Sequence, residues 1–181
     1  MAKKSGGMSF ADEMTNYKRL ALALPAASTT YAYVEWDTGL SARGRIGIMI
    51  TGFKVQPKAH GLTNNNLLNA ATRQVACMQL HEGPQQAALL NADDERHIET
   101  LSVDNLVATS VGLAPIMAPW GVTCERLSTA PKITACFDAG ADAVPFTAAG
   151  FATLIYTVSF RYVNMSLERY IEASEQRGAF A

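Results

Sequence analysis

A chain of 181 residues, 49% of them apolar, is about one domain long and carries enough hydrophobic side chains to bury a core without disulfide staples. A formal net charge of −1 excludes a global attraction for polyanions, so any nucleic-acid contact has to come from a local patch. Only 17% of residues are charged, against about 25% in ordinary soluble proteins, and that depletion suits a surface largely covered by neighbouring subunits.

The opening stretch, MAKKSGGMSFADEM, has no apolar run and reads as neither a secretory nor a lipidation signal, and no later stretch is apolar for long enough to cross a bilayer as a helix. Ser9 as N-cap, Asp12 and Glu13 in a first turn, and Phe10, Met14, Tyr17, Ala21 and Leu24 at spacings of four and three predict an amphipathic helix stopped by Pro25. From Thr30 to Trp36 the period becomes two, with aromatic and β-branched residues followed by the turn Asp37-Thr38-Gly39. A longer strand is predicted from about Ala42 to Val55, with Ile46, Ile48 and Ile50 on one face and Arg43, Arg45, Gly47, Met49 and Thr51 on the other, ended by Pro57 and His60-Gly61.

Residues 62–71, with Asn64-Asn65-Asn66, read as an exposed loop, and strand character returns over Arg73 to His81 before Gly83-Pro84. Asn91 to Arg96 is a solvated turn, with apolar segments at Ile98 to Val103 and Leu106 to Leu113 beyond it. Trp120 to Leu127 and Lys132 to Phe137 form two strands separated by Ser128-Thr129-Ala130-Pro131. The last strand puts Ala152, Leu154, Tyr156, Val158, Phe160 and Tyr162 on one face, and Ser166 caps a helix from Leu167 to about Gln176. The fold class expected is all-β: an antiparallel β-sandwich, a jelly roll of about eight strands, with short N- and C-terminal helices. Residues 1–27 then form a helical arm, 28–165 the sandwich and 166–181 the closing helix and tail.

Site chemistry is sparse. His60, His81 and His97 have no histidine or cysteine partner at metal-ligand spacing, and neighbours such as His81-Glu82 point to opposite faces of a strand. Cys77, Cys124 and Cys136 are odd in number and widely spaced, against both a disulfide framework and a compact zinc site and in favour of a reducing, intracellular origin; Cys77 and Cys136 read as small core hydrophobes. No G-x-S-x-G or phosphate-binding glycine loop is present, and Asp93-Asp94-Glu95 reads as a solvated turn rather than a calcium site. No catalytic residue, cofactor or metal ligand is assigned. The basic candidates for nucleic-acid contact are Lys3, Lys4, Lys18 and Arg19, with Arg43, Arg45, Lys54 and Lys58 gathered in one further stretch. Tyr31, Tyr33 and Trp36 have no interleaved basic residues and read as core or interface.

Ala130-Pro131-Lys132-Ile133-Thr134-Ala135-Cys136-Phe137, a Gly/Ala/Pro-rich connection, and the strand Phe151 to Val163 resemble the final two strands of single jelly-roll capsid proteins of small icosahedral viruses. The resemblance covers about a fifth of the chain in strand-loop-strand style, and the order of elements is similar over most of it. It implies a non-enzymatic virion protein, assembled in the host cytoplasm. Copies of the chain would form an icosahedral shell, with a second capsid protein as a further partner. Its interface residues would be Phe10, Met14, Tyr17, Leu24, Leu167 and Ile171. The chain departs from many such proteins in lacking a strongly basic arm, so genome contact is expected to be weak or indirect.

Overall fold

The computed structural model describes residues 9–10, 14–24, 31–40, 45–58, 74–105, 120–138 and 152–175. Over these residues the chain forms β1 (Ser9–Phe10), β2 (Asn16–Leu24), β3 (Tyr31–Asp37), β4 (Ile46–Lys58), β5 (Gln74–Glu82), β6 (His97–Asn105), β7 (Trp120–Ser128), β8 (Lys132–Asp138), β9 (Ala152–Asn164) and α1 (Leu167–Glu175). The fold is therefore all-β with a single described helix.

Every pairing is antiparallel. The first sheet runs β2-β9-β4-β7, and β1 continues the row of β2 along the same edge of β9. The second runs β3-β8-β5-β6. Four of the pairs are nested in sequence: β5 with β6, outside them β4 with β7, then β3 with β8, and outermost β2 with β9. Successive pairs in this series fall on alternate sheets.

The two sheets contribute to one hydrophobic cluster, with Leu22, Ile50, Phe53 and Tyr156 from the first and Trp36, Leu80, Ile133 and Phe137 from the second. Burying a large apolar side chain fully contributes about 1.5–3 kcal/mol, so this shared core is the main favourable term. Trp36 lies against Phe160 with ring centroids 5.0 Å apart. The buried Tyr156 hydroxyl donates to the Cys136 carbonyl at 2.7 Å, so a polar atom of one sheet is satisfied by the backbone of the other.

The N-terminal helix expected over Phe10 to Leu24 is instead strand. Leu20-Ala21-Leu22-Ala23 alternates with period two: Leu20 and Leu22 are buried, while Tyr17, Arg19, Ala21 and Ala23 are exposed. A helix here would have put Ala21 inward with Tyr17 and left the leucines divided. Nine residue pairs with β9, from Asn16↔Phe160 to Leu24↔Ala152, override the helix propensity of leucine and alanine.

β4 also departs from expectation, because it runs on through Pro57 to Lys58 against β9. Its pairing with β7 stops at Val55↔Trp120, so Pro57 sits where only one side of the strand is still paired among the described residues. Within β4 a register shift between Ile50 and Gly52 moves the buried set from Ile48 and Ile50 to Phe53 and Val55. Gly52 has φ of 150°, and a Cβ there would stand 2.5 Å from the Val122 carbonyl oxygen, so the bulge requires glycine.

The predicted turns hold where they are described. The Asp37 carboxylate accepts from the Gly39 amide at 2.9 Å, and the Thr38 hydroxyl donates to the Ala130 carbonyl at 2.7 Å, tying the end of β3 to the β7–β8 turn. The Ser166 hydroxyl accepts from the Arg169 amide at 3.2 Å and caps α1 as expected. The loop predicted at 62–71, the apolar segment 106–113, the connection 139–150 and the basic positions Lys3, Lys4 and Arg43 lie outside the described residues.

Candidate functional site

Charge divides between the two sheets. The first carries Lys18, Arg19, Lys54, Lys58, Arg126 and Arg161 against Glu125 alone. The second carries Glu35, Asp37, Glu82, Glu99, Asp104 and Asp138 against Lys132 alone. The segment 83–96, which joins β5 to β6, adds Asp93, Asp94 and Glu95 to the acidic side against Arg96. Among the described residues the strands of a nearly neutral chain are thus strongly polarised.

On the first sheet the residues alternating with the buried set point away from the core. Short ones, Ala21 and Ala23 on β2, Thr157 and Ser159 on β9, Gly121 and Thr123 on β7, are mixed with longer ones such as Tyr17, Ile155 and Gln56. Among them one row crosses all four strands as Arg19, Thr157, Lys54 and Gly121. A Cβ on Gly121 would stand 3.0 Å from Lys54 Cγ, so the lysine stem lies across the space that glycine leaves. Lys18, Arg19 and Lys54 are exposed and form no ion pair among the described residues. Arg161, further along the same face, donates from Nε to the Thr15 hydroxyl at 3.3 Å.

The second sheet handles its polar groups differently. Segment 83–96 is tied down onto it: Gln79 accepts from the Leu90 amide at 2.8 Å and donates to the Leu90 carbonyl and the Thr100 hydroxyl, both at 2.9 Å. The Thr134 hydroxyl donates to the Gly83 carbonyl at 2.8 Å, and Glu35 accepts from the Gln85 amide at 3.0 Å. Its cations are neutralised within the molecule, Lys132 by Glu35 at 2.7 Å and Arg96 by Asp94 at 2.8 Å. Contact with the Arg96 side chain holds the Asp94 carboxyl down at about 2. His81 is fully buried there, and burial lowers its pKa. Its Nδ1 lies 3.0 Å from the Glu82 carbonyl and so is the protonated nitrogen, while Nε2 has no hydrogen-bond partner.

Among the described residues no group of three or more His, Cys, Asp or Glu side chains is placed to hold a metal ion. Burial pushes the Cys136 thiol up to about 12 and the Cys124 thiol up to about 11, away from nucleophilic use. Cys136 is a core residue as expected, but Cys77 is only half-buried, 3.5 Å from the Ser102 hydroxyl. Trp36 is core, whereas Tyr33 is exposed.

The expected interface residues group unevenly. Met14 and Tyr17 are 73% and 67% exposed at the start of β2, and Leu167 and Ile171 are 49% and 40% exposed one turn apart on α1. Ile46, also exposed, pairs with Asn164 three residues before Leu167. Phe10 and Leu24 pair with Val163 and Ala152 in the sheet, and their side chains lie outside the described set. Along the chain Arg19 neighbours Lys18. The sheet instead sets Arg19 in one row with Lys54, a link that alternation in each strand hinted at but strand order alone supplies. No helix among the described residues is long and apolar enough to cross a membrane. Compared with family models and with curated proteins, the chain matches none.

Proposed function

We propose that this chain is a self-associating structural subunit whose two sheets form a jelly-roll sandwich, and that copies of it build a closed icosahedral shell, a viral capsid. The observation carrying the reading is the nested pairing of β5 with β6, β4 with β7, β3 with β8 and β2 with β9, alternating between sheets. A long hairpin rolled up on itself produces that order, and shells and lectin modules share it. The bare apolar side chains favour the shell over a solitary binding module. Met14, Tyr17, Ile46, Leu167 and Ile171 gather toward the end of the first sheet where β9 finishes, and exposed apolar clusters mark contact surfaces. The low charged fraction fits the same reading.

The test is size-exclusion chromatography followed by negative-stain electron microscopy of the full chain, with and without added nucleic acid. Closed, uniform particles are expected, and Leu167→Glu with Ile171→Glu should abolish them while leaving the circular dichroism spectrum unchanged. A small monodisperse species under every condition overturns the shell reading, and rings or tubes replace it with a stacked assembly such as a phage-tail or secretion tube.

A further inference from the structure

We propose that the outward face of the first sheet is a docking surface for the sugar-phosphate backbone of single-stranded nucleic acid, with Arg19, Lys54 and Arg161 as its phosphate contacts. This deepens the shell reading by assigning the side of the subunit that faces a genome, and it rests on that reading only for the word genome. Cations on the second sheet are neutralised by Glu35 and Asp94, whereas Arg19 and Lys54 have no carboxylate in contact among the described residues. Two unneutralised cations flanking Thr157 in one row stand about 10 Å apart by strand spacing, and Arg161 lies about 13 Å along β9 from that row.

The ground between them is what an extended phosphate chain can approach closely. Thr157 and Ser159 leave the backbone low there, and their hydroxyls are donors of the kind that contact phosphate oxygens. An anionic membrane is the other partner a basic face attracts. Beside these cations the apolar side chains are Tyr17 and the half-buried Ile155, set between Ala21 and Gln56, too few for an inserting apolar stripe, so the face favours nucleic acid. Segregation of charge also orients the encounter, because the acidic second sheet repels the same polyanion.

The experiment is fluorescence anisotropy of the full chain with a labelled single-stranded dT20 and a labelled U20, across a salt series. Three phosphate contacts predict a slope of log affinity against log salt near about −2. Arg19→Glu with Lys54→Glu should lower affinity at least about tenfold and bring the slope to about −0.7, one remaining contact. Arg19→Gln with Lys54→Gln should reproduce the direction with a smaller loss, and Glu125→Gln should tighten binding. Unchanged affinity in both double variants overturns the proposal. So does loss of binding in Lys3→Gln with Lys4→Gln while the sheet variants still bind, or binding to phosphatidylserine vesicles with none to either oligonucleotide. Particle formation is scored separately by microscopy: a chain that never assembles but shows these affinities refutes the shell and keeps the docking face. Wild-type particles with bound nucleic acid and empty particles from the Glu variant support both.

Discussion

The two sheets share a core but present opposite outer faces. The first is basic, and its Arg19 and Lys54 have no carboxylate in contact among the described residues; the second is acidic, capped by segment 83–96, and the cations Lys132 and Arg96 on its side are neutralised by Glu35 and Asp94. The fold requires only that the inward half of each strand be apolar. The outward half is free to diverge, and here it diverges by charge sign and by whether polar groups are satisfied internally or left for a partner.

The largest expected effect comes from breaking what the sheets have in common. Trp36→Ala removes the indole that packs on Phe160 across the core and should cost about 3–5 kcal/mol, a large share of a domain's stability. Urea unfolding followed by tyrosine fluorescence measures it, and a single transition for both sheets is expected. Two separated transitions would mean that the sheets do not depend on one core.

Next is the cap that distinguishes the second sheet. Gln79→Ala leaves the Leu90 amide and carbonyl without their partner, while the Thr100 hydroxyl keeps its bond with His97 Nε2 at 2.8 Å, a loss of about 2 kcal/mol. Amide hydrogen exchange should quicken at Leu90 and its neighbours and stay unchanged in β2 and β9. Equal acceleration in both sheets would show that the segment supports the whole molecule rather than one face.

Much of this contrast was legible in the sequence. Strands β3 and β9 announce themselves by alternation, β8 by the turn residues before it, and the Asp37-Thr38-Gly39 turn and the Ser166 cap by residue chemistry that acts locally. The Asn16–Leu24 stretch misled because leucine and alanine favour helix in isolation, and only pairing with β9, more than a hundred residues away, makes it strand. The row joining Arg19 to Lys54 was hidden for the same reason: it exists through Thr157, on a third strand. Gln79 reads as one more polar strand residue until segment 83–96 is seen folded over it. Local chemistry is written in sequence neighbours, whereas a face is assembled from strands the sequence keeps apart.

Acid should weaken the second sheet in a window of its own. His81 is neutral in the fold because burial outweighs the Glu82 carbonyl, with Arg96, Asp94 and His97 as the other charged or titrating groups that act on it. Its folded pKa lies below the ordinary 6.5, so between that value and 6.5 the unfolded chain binds the extra proton. Stability therefore falls as pH drops below 6.5, and His81 adds no pH dependence above it. Asp94, held at about 2 against an ordinary 3.8, stabilises the fold above 3.8 and loses that contribution only as pH falls from there toward 2. Urea midpoints from pH 7.5 to 4.5 should decline in the wild type and flatten in His81→Asn, which keeps a side-chain donor. A wild-type profile already flat across that range would contradict the buried neutral imidazole.

The smallest effect tests whether pairing or surroundings makes the two faces differ. Lys132 is the one cation in the strands of the second sheet, and Glu35 holds it at 2.7 Å while also accepting from the Gln85 amide at 3.0 Å. Glu35→Gln releases the lysine and keeps an oxygen for that amide. Both groups are solvent-screened, so the unfolding midpoint should move little. The informative readout is oligonucleotide affinity. Asp37 and Asp138 remain in the same sheet, and a single freed cation among them still meets repulsion from a polyanion. Affinity in Glu35→Gln should therefore match the wild type. If it rose instead, neutralisation by one partner would be all that separates the faces, and the basic row on the first sheet would owe its character to missing carboxylates rather than to its arrangement.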